Sequence, residues 1–435
     1  MTAQVDARAG SEPARARVSE TVAELVGRTL AELGAGHCFG VVGSGNFDVT
    51  NALIRHGVPY TAARHEGGAA TMADAFARMS GRVALLSVHQ GCGLTNATTG
   101  IGEAAKSRTP LLVLAAETAG AAVNSNFAMD QPGLARSIGA ISHRVHSAVS
   151  AAADVVRAFR TAQNERRTVV LNLPLDVQAQ QAPDSRAAAR VSPPAPVRPA
   201  ASAVAGLADL ILAAQRPVFV AGRGGRAARA EILALAEFAG ALVATSAVAK
   251  GLFVGEPFSL GISGGFSSPT TAELISGADL IVGFGCALNM WTMRHGTLIG
   301  ERTAVVQIDL EDSALGANRP ITLGVLGDSA ATAADALLEL QRRGVPPRTG
   351  YRTDEVLEKI AASARWQDVP IHDLSGPGPD GSERIDPRVL TRAIDEFLPR
   401  ERVVAVDSGN FMGYPSQYLD VPDEFGLCFT QAFQS

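Results

Sequence analysis

The chain has 435 residues, 46% of them hydrophobic and 19% charged, with a formal net charge of −5. That length accommodates two or three domains, each with its own core. The mild negative balance gives no basic face for nucleic acid, and no apolar run approaches the ~20 residues of a membrane helix, so neither kind of partner is expected. Cys38, Cys92, Cys286 and Cys428 are widely spaced, with no metal-ligand or redox-motif pair; reduced thiols in a cytoplasmic protein are expected.

Residues 1–17 mix Ala and Arg with Asp6 and Glu12 and lack the apolar stretch of a secretory signal, so a disordered leader is expected. Residues 19–33 place Val22, Leu25, Val26, Leu30 and Leu33 on one helical face, and Thr21 with Glu24 fits a capping box. Residues 38–42 suit a buried strand. Ala69, Met72, Ala73, Phe76 and Met79 form a second helical stripe. Continuous apolar runs at 82–88, 110–115 and 168–173, separated by helices, indicate a parallel sheet covered on both faces. The first domain is placed at 18–180. Residues 181–200, rich in Ala, Pro and Arg without periodicity, suit a linker. A second α/β domain is expected over 201–343, with strands at 217–221, 242–245, 280–284 and 304–308 and a helix at 227–238. Residues 344–383 are Gly- and Pro-rich, a second linker with one short helix at 353–364. A third domain begins at 384 with a helix at 387–397 and a strand at 402–406. The roughly fifty residues from there to Ser435 are about half or less of a usual domain.

Several motifs suggest chemistry and are weak. Gly222-Arg-Gly224-Gly225 follows a strand as a dinucleotide-binding turn does, but residues 239–249 lack the acid that would meet a ribose. Gly261-Ile-Ser263-Gly-Gly265 matches a nucleophile elbow without the required flanking strand and helix. Gly327-Asp328-Ser329 resembles the start of a magnesium motif, but its third residue is wrong and it is better placed at a helix start.

Two segments are stronger. Val88-His89-Gln90-Gly91-Cys92-Gly93-Leu-Thr-Asn96 joins a strand end to a helix start, where ligands of open α/β sheets collect; a tight turn with a solvated histidine explains it equally well. Arg64-His65-Glu66-Gly67-Gly68 sets an acid at a helix N-terminus, which the helix dipole alone would favour.

These segments, in this order and followed by Ala405-Val-Asp407-Ser408-Gly409-Asn410, resemble the acetolactate synthase-like branch of the thiamine diphosphate-dependent enzymes, from about Val18 to Ser435. The resemblance implies two complete parallel-sheet α/β domains, pyrimidine-binding and middle, plus the start of a diphosphate-binding domain that is incomplete here. It implies a homodimer or homotetramer acting on a small-molecule 2-oxo acid as a decarboxylase or carboligase. Glu66 corresponds to the carboxyl that shares a proton with the pyrimidine nitrogen, making the exocyclic nitrogen a base. Val41, Val42, Cys92 and Asn96 correspond to positions around that ring, His89 and Gln90 to positions facing substrate, and Ser408, Gly409, Asn410 and Phe411 to the segment that meets the diphosphate. Ala128 and Met129 follow Phe127 where the synthases carry Gln-Glu. Cys286-Ala-Leu-Asn replaces the arginine pattern after the strand at 280–284, which argues against FAD. The Gly-Asp-Gly motif that binds Mg2+ would lie past Ser435, so its ligands are not expected in this chain, and the chain is expected not to turn over alone. The alternative is a non-catalytic assembly partner of an intact relative.

Overall fold

The computed structural model describes residues 20–183, 195–430 and 433; the leader expected at 1–17 and residues 184–194 of the first linker lie outside these. The chain divides into two compact units, residues 1–192 and 193–435.

The first unit holds six parallel strands: β1 (Cys38–Gly40), β2 (Tyr60–Ala62), β3 (Ala84–Val88), β4 (Leu111–Glu117), β5 (Ile141–Arg144) and β6 (Thr168–Pro174). Their spatial order is β2-β1-β3-β4-β6-β5. Every residue of β3 and β6 is buried, as strands covered on both faces require. The helix Val22–Leu33 starts where Thr21 Oγ1 accepts from the Glu24 amide at 3.3 Å. The reciprocal half of the capping box does not form, because the Glu24 carboxylate is drawn to Arg55 and His56. The helix Glu66–Ser80 buries Ala69, Ala70, Ala73, Asp74 and Ala77. Met72, expected on the buried stripe, is exposed. The buried face is set by the neighbouring helix Thr98–Lys106, which approaches so closely that a Cβ on Gly100 would lie 2.6 Å from the Cβ of Ala70. Between these helices Arg78 ion-pairs with Asp74 at 2.5 Å and with Glu103 at 2.8 Å, all three side chains nearly solvent-free. This triad fixes the helix that carries Glu66.

The second unit repeats the plan with β7 (Pro217–Ala221), β8 (Leu242–Thr245), β9 (Ser259–Ile262), β10 (Leu280–Phe284), β11 (Ala304–Asp309) and β12 (Leu323–Leu326), in the order β12-β11-β10-β7-β8-β9. Both sheets are therefore open, parallel and α/β. Residues 344–364, expected within a linker, are packed onto this sheet's helices. Arg348 donates to the carbonyls of Ile211, Leu212 and Ala214, and the buried Tyr351 hydroxyl donates to Leu274 O at 3.1 Å. The short helix expected there spans Asp354–Ser363.

A two-stranded antiparallel piece, β13 (Gly376–Pro377) with β14 (Glu383–Arg384), precedes the helix Pro387–Phe397. β15 (Val404–Val406) then pairs in parallel with β16 (Leu427–Phe429). Residues 384–430 belong to the same compact unit as the second sheet. Lys250 Nζ helps to hold them there, donating to Ser416 O at 2.7 Å and Leu419 O at 2.5 Å. Burial pushes the Lys250 ammonium down to about 8.

Candidate active site

In the first sheet, strand order reverses between β1 and β3. β1 leads to β2 on one side, while β3 leads to β4 on the other. The two chains leaving the carboxyl ends of these strands diverge and open a crevice, the usual ligand position in such sheets. From β1 comes the loop Val41–Asn46, with Val41 half-buried and Val42 exposed. Its shape is fixed by Asn46, whose amide donates to Val41 O at 3.1 Å and Ser87 Oγ at 2.9 Å and accepts from the Gly43 amide at 2.8 Å. From β3 comes the His89–Cys92 turn. The two meet at glycines: a Cβ at Gly43 would lie 2.6 Å from His89 Cδ2, and one at Gly45 only 1.7 Å from Gln90 Oε1.

Glu66 is the first residue of its helix and is half-buried. His65 caps that helix, its Nδ1 accepting from the Gly67 amide at 3.0 Å, so the imidazole beside Glu66 is engaged structurally. Asn96 Nδ2 donates to Glu66 Oε2 at 3.0 Å. The other oxygen, Oε1, lies against Gly93, 3.4 Å from where a Cβ would stand. The carboxylate is thus oriented through one oxygen while its second borders a bare backbone.

His89 is half-buried, Gln90 buried, and Cys92 and Asn96 exposed. Gln90 Oε1 is buried and has no hydrogen-bond partner. His89 Nδ1 lies 2.8 Å from Gln90 O and 3.9 Å from Cys92 Sγ, and Nε2 lies 3.4 Å from Ser44 Oγ. Its ring meets that of Phe127 edge-on, with centroids 4.9 Å apart. Gln131 anchors the turn from beneath. Its Nε2 donates to Ala116 O and Asn172 Oδ1, and its Oε1 accepts from the Gly91 amide at 3.1 Å. Ser44 and Gln131 escaped the sequence reading: each reaches the turn from 40 or more positions away, and only the fold makes them neighbours.

Ser408, Gly409, Asn410 and Phe411 lie in the second unit, at the carboxyl end of β15. Ser408 is buried, Asn410 and Phe411 are exposed, and the Phe411 ring folds back over Gly409, whose φ is +135°. The weak motifs behave as local structure. Ser263 Oγ is buried and donates to Thr292 O at 2.8 Å, which leaves no exposed nucleophile. Asp328 caps the helix Ser329–Arg342 by accepting from the amides of Ala330 and Ala331. Gly222 and Gly224 stand at the strand-order reversal of the second sheet, between β7 and β10. There the backbones pack on one another: Gly222 N donates to Phe284 O and Gly224 N to Gly285 O, and a Gly222 Cβ would lie 2.2 Å from Gly285 O. The amides that could cradle a phosphate are already spent. Among the described residues, no group of three or more His, Cys, Asp or Glu side chains could hold a metal ion, and no helix is long and apolar enough to cross a membrane. Cys38, Cys92 and Cys286 are free thiols.

The family model for the thiamine pyrophosphate enzymes' N-terminal TPP-binding domain matches residues 20–137, and that for their central domain matches residues 204–337. This chain belongs to the thiamine pyrophosphate enzymes. A sulfoacetaldehyde acetyltransferase of Rhodobacter capsulatus is 29% identical over 94% of this chain and 73% of its own length. A probable 2-ketoarginine decarboxylase of Pseudomonas aeruginosa is 29% identical over 83% of this chain and 65% of its own. An acetolactate synthase large subunit of Parasynechococcus marenigrum is 27% identical over 83% of this chain and 58% of its own. The crevice between β1 and β3 lies in the part matched to the TPP-binding domain. One group there fits an aminopyrimidine: the Glu66 carboxylate, held by Asn96 through Oε2 and with Oε1 beside the bare backbone of Gly93.

Proposed function

We propose that this chain serves a thiamine diphosphate-dependent decarboxylase or carboligase of a 2-oxo acid, similar in chemistry to acetolactate synthase. The observation that carries the reading is the Glu66–Asn96 hydrogen bond at the crevice where Gln90 Oε1 is buried without a partner. The relatives, an acetyltransferase, a probable decarboxylase and an acetolactate synthase large subunit, agree with it.

When bound, thiamine diphosphate supplies a carbon nucleophile and an electron sink for the bond to CO2. The protein's part is orientation and proton management. Glu66 would share a proton with the pyrimidine nitrogen through Oε1, while Asn96 holds Oε2 and so restricts the carboxylate to one orientation. Gln90 would lie beside His89 toward the substrate. Val41, Val42 and Cys92 would border the ring, and His89 would face the substrate. Ser408, Gly409, Asn410 and Phe411 would meet the diphosphate with its Mg2+. The proposed assembly is a homodimer or homotetramer, and the free thiols favour a reducing, cytoplasmic setting. FAD has no part in the proposal, because the amides of the second crevice bond to their own backbone.

The test is CO2 release from pyruvate, benzoylformate and other 2-oxo acids by this chain joined to the Gly-Asp-Gly segment of an intact relative, with thiamine diphosphate and Mg2+. At least one should be consumed, and Glu66→Gln should lower that turnover by about 10² or more. Equal turnover by the variant removes Glu66 from its role. Sedimentation of the chain as a monomer would remove the homodimer.

A further inference from the structure

We propose that Gln131 is a positioning residue for Glu66, acting through the one-turn helix Cys92–Asn96; the role rests on the thiamine enzyme reading above. Gln131 is 1% exposed, and a buried amide must find partners for its donors and its acceptor. Its Nε2 donates to Ala116 O at 3.0 Å and to Asn172 Oδ1 at 2.9 Å, and its Oε1 accepts from the Gly91 amide at 3.1 Å. Asn172 decides which way round this amide sits. Its own Nδ2 donates to His143 O at 2.9 Å, so its Oδ1 is left to accept, and Gln131 must turn nitrogen toward it and oxygen toward Gly91. Ala116 and Asn172 belong to β4 and β6, adjacent strands of the buried sheet. The side chain thus transmits the position of two strands to a single amide on the loop after β3.

That amide stands at the start of the helix. Gly91 has φ +64°, where a side chain is disfavoured, and a Cβ there would lie 2.9 Å from Phe127 O, so the chain leading to Gln131 passes directly against it. Gly91 O accepts from the Thr95 amide at 3.0 Å, and Gly93 O from the Ala97 amide at 3.2 Å. A single turn is too short to hold itself by such bonds, so its place is set from outside. Both oxygens of Glu66 face this turn: Asn96 Nδ2 donates to Oε2 at 3.0 Å, and Gly93 presents bare backbone to Oε1. Asn96 O also lies 3.4 Å from where a Gly67 Cβ would stand, which packs the turn against the first residues of the Glu66 helix. A shift of the turn by about 1 Å would carry the Asn96 contact beyond hydrogen-bonding range and leave the carboxylate free to rotate. Gln131 makes no hydrogen bond to Glu66 and acts on it only through the helix.

The experiment is a double-mutant cycle on the chain joined to a relative's Gly-Asp-Gly segment, read by calorimetric titration with thiamine diphosphate in Mg2+ buffer. Gln131→Met keeps the length of the side chain and removes its hydrogen bonds to Gly91, Ala116 and Asn172. It should lower the affinity about tenfold alone and less than about twofold in the Glu66→Gln background, because residues that act as one unit do not add. A residue that only stabilises the fold loses the same factor in both backgrounds, and that result overturns the proposal. Asn96→Ala removes the last link at an exposed position, so it folds whatever happens at Gln131; wild-type affinity in that variant overturns the proposal as well. A second readout needs no cofactor. In 15N NMR of the full chain, the Asn96 side-chain amide, identified by the signal missing from Asn96→Ala, should move in Gln131→Met. A signal that stays in place shows that the turn has not shifted and overturns the proposal. Failure of the thiamine reading looks different: no uptake by the wild type, with the Asn96 signal still moving in Gln131→Met and the placement of Glu66 by Gln131 left standing.

Discussion

Both sheets have six parallel strands and a reversal of strand order near the middle, yet their crevices are built from different materials. Between β1 and β3 the crevice is lined with side chains, among them the Glu66 carboxylate, whose Oε1 lies beside Gly93, and the half-buried His89. Between β7 and β10 it is filled by backbone, with glycine amides bonded to the neighbouring strand's carbonyls. The lesson is that a ligand site at the carboxyl edge of such a sheet is not given by topology. It depends on whether polar groups there are left unsatisfied.

The supports of the two crevices differ too, and substitutions should separate them. The largest effect is expected under the first. Arg78→Met leaves Asp74 and Glu103 buried without their cation, a change that costs about 3–5 kcal/mol, measurable by denaturant unfolding. A loss below 1 kcal/mol would mean that the triad is more solvated than its burial indicates. Next comes Gly222→Ala. The new Cβ meets backbone at 2.2 Å, and backbone cannot move aside cheaply, so a cost near 3 kcal/mol is expected. Gly45→Ala should cost less, about 1 kcal/mol, although its Cβ would stand closer to its neighbour. That neighbour is the end of the Gln90 side chain, which can rotate away. The functional penalties should run the other way, with Gly45→Ala impairing cofactor affinity and Gly222→Ala leaving it intact in whatever fraction stays folded. A flavin absorbance band in the purified protein would undo the contrast, since it would show that the second crevice opens.

A pH dependence is expected at Lys250. Its folded-state pKa, about 8, lies below the ordinary 10.5, so between these values the unfolded chain holds the extra proton. Stability should therefore rise with pH across that window, and Lys250→Met should flatten the rise. The acids and bases nearest it, Asp420, Asp395, Arg402 and Arg365, partly offset one another. A wild-type profile with the same slope as the variant's would show that Lys250 is not desolvated.

Much of this architecture is legible in the sequence for a simple reason. β3, β4 and β6 are buried almost throughout and so appear as unbroken apolar runs. β5, half-exposed at a sheet edge with the sequence Ile-Ser-His-Arg, carries no such signal. β16 is three residues long and gains its identity only by pairing with β15. Residues 344–364 look like a linker because their attachment to the second sheet runs mainly through arginine and tyrosine bonds to carbonyls, which hydrophobic periodicity does not register. Within the site, Glu66 and the His89–Asn96 turn stand out because glycines flank them. Ser44 does not, since its relation to His89 exists only after β1 and β3 pair in register.

The claim on which the rest depends is that Glu66 grips the cofactor's pyrimidine. Calorimetric titration of the chain joined to a relative's Gly-Asp-Gly segment, in wild-type and Glu66→Gln forms, with thiamine diphosphate in Mg2+ buffer tests it most directly. The account predicts saturable uptake by the wild type and an affinity at least about tenfold lower in the variant, the loss of one charge-assisted hydrogen bond. Matching affinities in the two proteins, or no uptake by the wild type, would contradict it.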